Sequence, residues 1–295
     1  TNTNLSGADL TNTDLTNTDL TGADLTKSRL IGLDLKTTLF TNSILTGADL
    51  TGADLTGADL TNINLSKAEL GNTKLGNAIL TGADLTNANM FEADLNNAIL
   101  SKADFTGAMM TEINLSKSKL IETILTGADL TNTILTGADL TGADLSGADL
   151  SRSNLIGIDF TTTIVSKTIF DDARLIGVNL SNLILSRSSF EGANLSNSNL
   201  SDSNFKNANL SGADLTNTNF SEANLSGADL TNTKFSKANL SEANLSNTNL
   251  SEAYIVATDL TGADLTGADL TGADLTGADL SKTILACNGN DICDN

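Results

Sequence analysis

From Leu5 to Leu285 every fifth residue is a large apolar one, Leu at most positions and Phe, Met, Ile or Val at the rest. The register runs unbroken through 57 five-residue blocks. Two places before most apolar centres stands a small residue, usually Ala, Ser or Thr, and between the two commonly a polar one, most often Asp or Asn. Small side chain in, polar side chain out, Leu in is the two-residue alternation of a β-strand. The next two residues, typically Thr-Gly or Thr-Asn, break that alternation. Reading Leu-Thr-Gly-Ala as a four-residue turn puts Gly or Asn third, where a type II turn requires positive φ. Each block therefore predicts one very short strand and one corner. Thr261 to Leu280, four TGADL blocks in a row, show the unit without variation.

Self-similarity at a fixed period is the mark of a solenoid, in which each unit buries its apolar face only by stacking on its neighbours. Proline is absent throughout. It would remove a donor from a ladder in which every coil bonds to the coils above and below. At Lys27, Glu92, Lys102, Arg152, Lys167, Arg187 and Glu222 the second corner residue is neither Gly nor Asn, and a different turn geometry is expected there.

The A(D/N)LXX block resembles that of the pentapeptide-repeat family over essentially the whole chain. The resemblance implies an all-β fold, a right-handed quadrilateral parallel β-helix of about 14 coils with four blocks per coil. The β-helix would span 1–285 and a short irregular cap or tail 286–295. The sequence offers its own check on a twenty-residue coil. Ile44, Ile124, Ile164, Ile184 and Ile284 share one phase modulo twenty, Leu39, Ile79 and Ile99 a second, and Ile156, Ile176 and Val256 a third. Phe190, Phe205, Phe220 and Phe235 occupy centre positions and are expected inside as core.

Composition narrows the function classes. The net charge is −20 with a pI near 4.1, which disfavours direct binding to nucleic acid phosphates and anionic lipid and welcomes a basic partner surface. No apolar run approaches the ~20 residues that cross a bilayer, so no membrane insertion is expected. There is no His, hence no imidazole to act as general base or metal ligand. The outward carboxylates lie on a regular convex surface with nothing to raise a pKa, and no Gly-rich phosphate loop occurs. The chain reads as non-enzymatic, with no catalytic residue, no cofactor and no metal site.

Cys287 and Cys293 are the only cysteines, and both follow the last block. They would either form a disulfide closing a C-terminal cap or remain two thiols in a frayed tail; as a metal site they fall short of four ligands. A disulfide would imply a periplasm, a lumen or the extracellular space, its absence the cytoplasm.

Two surfaces stand out. Ile156, Ile164, Ile169, Ile176 and Ile184 are expected to face out or sit at corners, with Ile156 over Ile176 and Ile164 over Ile184, as a patch for a protein partner. Asp259, Asp264, Asp269, Asp274 and Asp279 form an acidic sleeve in a stretch free of basic residues. No helix or charged cap precedes the first block, so the edge of the first coil is expected to be open to pairing. The function read from these features is a structural or protein-interaction scaffold, self-assembling through its coil ends. The alternative is an acidic DNA mimic acting on a DNA topoisomerase or another DNA-binding protein, as some members of the family do. Charge density weakens it: B-DNA carries one charge per about 1.7 Å, roughly twice the net charge a rod of this size would present.

Overall fold

A computed structural model of the chain describes residues 3–294. Apart from the block of Asp14, each described block up to Leu285 contributes a single bridging residue, its outward one, and the two residues after the centre form the turn. The bridges are parallel and join residues twenty apart, as in Asp24 to Ile44 and Asn219 to Asn239. Twenty residues thus make one coil of four short sides, a right-handed quadrilateral parallel β-helix. The chain forms two compact units, Thr1–Asp149 with Thr162–Ile164, and Leu150–Thr161 with Val165–Asn295.

Three hydrogen bonds per side define the coil. The N–H of the outward residue donates to the coil below, as from Asp24 to the Thr3 carbonyl, 3.0 Å. The N–H of the centre donates to the coil above, as from Leu25 to the Ile44 carbonyl, 2.8 Å, and so does that of the second corner residue, as from Lys27 to the Thr46 carbonyl, 3.0 Å. A fourth bond, Ser28 N–H to the Leu25 carbonyl at 3.0 Å, closes the turn. The backbone groups of a side are therefore paired without any long strand.

The corners correct one sequence expectation. Lys27, Glu92, Lys102, Arg152, Lys167, Arg187 and Glu222 all adopt positive φ, between 55° and 63°, as Gly does elsewhere in the chain. A left-handed conformation costs an L-residue roughly 1–2 kcal/mol, but abandoning it would forfeit the ladder bond to the next coil. Unbranched side chains therefore accept the strain. Among the described corners only Thr37 and Thr162 keep out of positive φ, and both are β-branched. There the hydroxyl replaces the carbonyl: Asn17 N–H donates to Thr37 Oγ1 at 2.9 Å, and Gly142 N–H to Thr162 Oγ1 at 3.1 Å.

The core is a column of centres lined by small residues. In the first unit most centres are Leu, with Phe40 and Phe105 among them. The second holds Phe160, Phe170, Phe190, Phe205, Phe220 and Phe235, all fully buried, as the sequence indicates for the last four. Phe190, Phe205, Phe220 and Phe235 follow at steps of fifteen residues, three sides of a coil. Their ring centroids lie 5.5, 5.6 and 6.1 Å apart, a staircase of tilted and edge-on rings. Leu33, Ile63 and Ile113, large where a small residue is usual, are buried too. Buried hydroxyls bond either to the centre of their own turn, as Ser28 to the Leu25 carbonyl at 2.7 Å, or to the coil below, as Thr123 to the Leu100 carbonyl at 3.0 Å.

The second unit leaves the block pattern after Leu285. Asn288 still bridges to Asp269 and donates its N–H to the Ala268 carbonyl, 2.9 Å. A single 3-10 turn, Asp291–Asp294, then follows. Residue 295, the last of the segment expected to form the cap, lies outside the described residues.

Candidate functional site

Function on such a scaffold resides in the side chains that leave it. Most outward Asp and Asn residues also serve the fold: their Oδ1 accepts the N–H of the residue two positions on, and often its hydroxyl as well. Thr51 donates its N–H to Asp49 Oδ1 at 3.1 Å and its hydroxyl to the same oxygen at 2.7 Å. These donors favour the ionised carboxylate. At Asp269 and Asp274 the hydroxyl and N–H of Thr271 and Thr276 hold the carboxyl below its ordinary 3.8, and Ser281 does the same for Asp279.

The five aspartates of the C-terminal sleeve divide among all four faces of the second unit. Asp259 bridges to Asp279 on one face, Asp264 to Ile284, Asp269 to Asn288 and Tyr254 to Asp274 on the others. They encircle the coil rather than form a wall.

Of the five isoleucines, the four in the second unit lie on one corner and two faces. Ile156 and Ile176 occupy the same corner on successive coils, Gly157 donating its N–H to the Ile176 carbonyl at 3.2 Å, and both are half-buried. Ile169, bridged to Ser189, and Ile184, bridged to Asn204, stand on two other faces of the same unit. Ile164 belongs to the first unit, bridged to Asp144. Ile164 and Ile184 are the most open, 53% and 68% exposed. An Ile at an outward position cannot accept the next corner's N–H, so it forgoes the cap that Asp or Asn supplies.

Cys287 and Cys293 are joined as a disulfide, Cα–Cα 5.1 Å, around the terminal turn. Asn290 Nδ2 within this loop donates to the Ala273 carbonyl at 3.2 Å, tying the loop to the last coils. Among the described residues there is no group of three or more His, Cys, Asp and Glu side chains that could hold a metal, and no helix long and apolar enough to cross a membrane.

The sequence reading missed how the cations are arranged. In the first unit several lie opposite a carboxylate: Arg29 to Asp9 at 2.9 Å, Lys36 to Asp34 and Asp54 at 3.0 and 3.5 Å, Lys102 to Glu122 at 3.5 Å. In the second unit Lys167, Arg187 and Lys206 instead stack on one corner over three successive coils, around a groove of about 380 Å³. Sorting the cations by corner would have found this stack: Lys167 and Arg187 share a phase modulo twenty, and Lys206 stands one residue before it.

One class accommodates these features, a four-sided parallel β-helix whose surface is written in columns twenty residues apart. The model "Pentapeptide repeats (8 copies)" matches in overlapping segments from residue 3 to residue 285. The chain belongs to the pentapeptide-repeat family, a scaffold family that acts in protein interactions. A search of curated proteins gave no match. Among solved structures the chain is similar to HetL, a pentapeptide repeat protein involved in heterocyst differentiation regulation from the cyanobacterium Nostoc sp. strain PCC 7120. Identity is 29% over 92% of each chain, with a TM-score of 0.33. It is also similar to a pentapeptide repeat protein of the Arabidopsis thaliana thylakoid lumen, 38% identical over 31% of this chain and 64% of that one, TM-score 0.31. QnrB1, a plasmid-mediated fluoroquinolone resistance protein, is 21% identical over 63% of this chain and 93% of its own, TM-score 0.26.

Proposed function

We propose that this protein is a non-enzymatic scaffold that engages protein partners through the sides of its coils. The observation that carries the reading is the outward isoleucine, above all Ile184, 68% exposed at a place where the block would otherwise set Asp or Asn. Such a residue gives up a turn cap and leaves apolar surface in water, so the fold gains nothing from it. A partner that covers it would. Ile164 stands in the same relation to its own unit.

A photo-cross-linking residue at position 164 or 184, compared with one at position 224 on the same face as Ile184, tests this. Discrete adducts from 164 or 184, absent at 224, are the expected result. Uniform labelling or none overturns the reading. Negative-stain images over a concentration series report self-assembly through the coil ends: filaments support it, and isolated particles at every concentration reject it.

The DNA-mimic alternative is the weaker. A duplex-like surface needs long rows of carboxylates, and the columns here are interrupted. One face of the second unit runs Asn154, Arg174, Asn194, Asp214, Lys234, Tyr254, Asp274. A DNA gyrase supercoiling assay tests this alternative directly, inhibition by micromolar protein being the result that would revive it.

A further inference from the structure

We infer that the corner carrying Lys167, Arg187 and Lys206 is a docking site for a short acidic segment of a partner protein. The inference rests on the scaffold reading above and names the surface and the chemistry of the partner.

The three side chains are exposed and lie on successive turns of one corner. The Arg187 N–H bonds to the Lys206 carbonyl at 3.2 Å, which fixes two of them as direct neighbours along the stack. Coils repeat at about 4.8 Å, so like charges face like across each step. A chain of net charge −20 has ample carboxylate with which to avoid this, and in the first unit Arg29, Lys36 and Lys102 each take a carboxylate partner. Among the described residues none of the three side chains here has an ion pair or a hydrogen bond.

The flanks keep the site clear. The face before the corner carries Ile184 and Asn204, the face after it Ile169, Ser189 and Asn209, and none of these is charged. Across that second face stand Asp171 and Glu191: Asp171 Oδ1 accepts the Glu191 N–H at 3.0 Å, and Glu191 Oε2 accepts from Asn209 Nδ2 at 3.2 Å. A cationic groove between two isoleucines matches a segment in which Asp or Glu alternates with apolar residues. A nucleic acid or an anionic bilayer fits less well. Three charges over two coil steps, about 10 Å, meet only a few anionic groups, while the acidic remainder of the chain repels a polyanion.

The test is fluorescence anisotropy of a labelled twelve-residue peptide of alternating Glu and Leu, titrated with the full chain. Binding should weaken about tenfold between 50 and 300 mM NaCl. It should also weaken at least tenfold in the triple variant Lys167→Glu, Arg187→Glu, Lys206→Glu. The triple variant Lys27→Glu, Lys237→Glu, Lys282→Glu changes the net charge equally and should leave it intact. If the charge reversals at the corner impair folding, as read by circular dichroism, Ser at the three positions replaces them, with the same loss expected. Three results overturn the site: no binding, equal loss in both triple variants, or tighter binding of a single-stranded oligonucleotide or of phosphatidylglycerol vesicles. If the peptide fails while adducts at position 164 persist, only this site falls; if both fail, the scaffold reading falls with it.

Discussion

Asn17 donates its backbone N–H to the side-chain hydroxyl of Thr37 one coil above, 2.9 Å away, where other corners use a backbone carbonyl. The hydroxyl is what allows a β-branched residue to hold a corner without positive φ. Thr37→Val keeps the branching and removes the acceptor. Exchange of the Asn17 amide should then quicken several-fold, read by hydrogen–deuterium exchange. Thr37→Asn should bring the corner to positive φ, return the bond to a carbonyl and restore protection.

Phe170 lies flat on Phe190, centroids 4.8 Å apart and rings 14° from parallel, both fully buried. Phe170→Ala opens a cavity between coils that the ladder prevents from collapsing. It should cost roughly 3–5 kcal/mol, and Phe170→Leu appreciably less. Urea denaturation followed by circular dichroism would check the order. A flexible core that closes around the smaller side chain would show as equal, small losses.

The acid response has a definite sign. Thr276 hydroxyl and N–H donors hold the Asp274 carboxyl below 3.8, as those of Thr271 do for Asp269. A depressed folded-state pKa contributes stability that is fully present above the unfolded value and is lost as pH falls through the folded one. The melting temperature should therefore hold from neutral pH to about pH 4 and fall below it, against the relief of charge repulsion on protonation. Asp274→Asn keeps the acceptor Oδ1 and removes the titration, so its melting temperature should vary less with acid than that of the parent. Asp274→Ala should be weakened at every pH.

Reduction of Cys287–Cys293 releases a closed loop of six residues' separation. Loop-closure entropy for so short a ring is roughly 2 kcal/mol, and its effect should stay local. Added dithiothreitol should accelerate exchange at Asn288 and Leu270, whose amides bond to Ala268 and Asn288, and leave the Asn239 amide unchanged.

The sequence displayed its centres and coils plainly, because a large apolar residue every fifth position admits no other partition into inside and outside. It was less informative at the corners. Residue preference pointed to a new geometry at Lys27 and Glu222, but preference is a local quantity, and there the ladder bond to the next coil outweighs it. Grouping by proximity in sequence also misled at the surface. Ile169 and Ile184 lie fifteen residues apart and so on different faces, whereas Ile156 and Ile176, twenty apart, share a corner. The stacked cations escaped notice for the same reason: Lys167, Arg187 and Lys206 are scattered along the chain and meet only in the coil.

The staircase and the columns together constrain how such a gene can change length. Because Leu at a centre serves equally well on any side, losing or gaining one block leaves the interior content. It nevertheless rotates every later outward residue by a quarter turn relative to those before it, so Arg187 and Lys206 would no longer cap the line begun by Lys167. Only insertions of whole coils, sixty nucleotides at a time, lengthen the protein while leaving its surface lettering aligned.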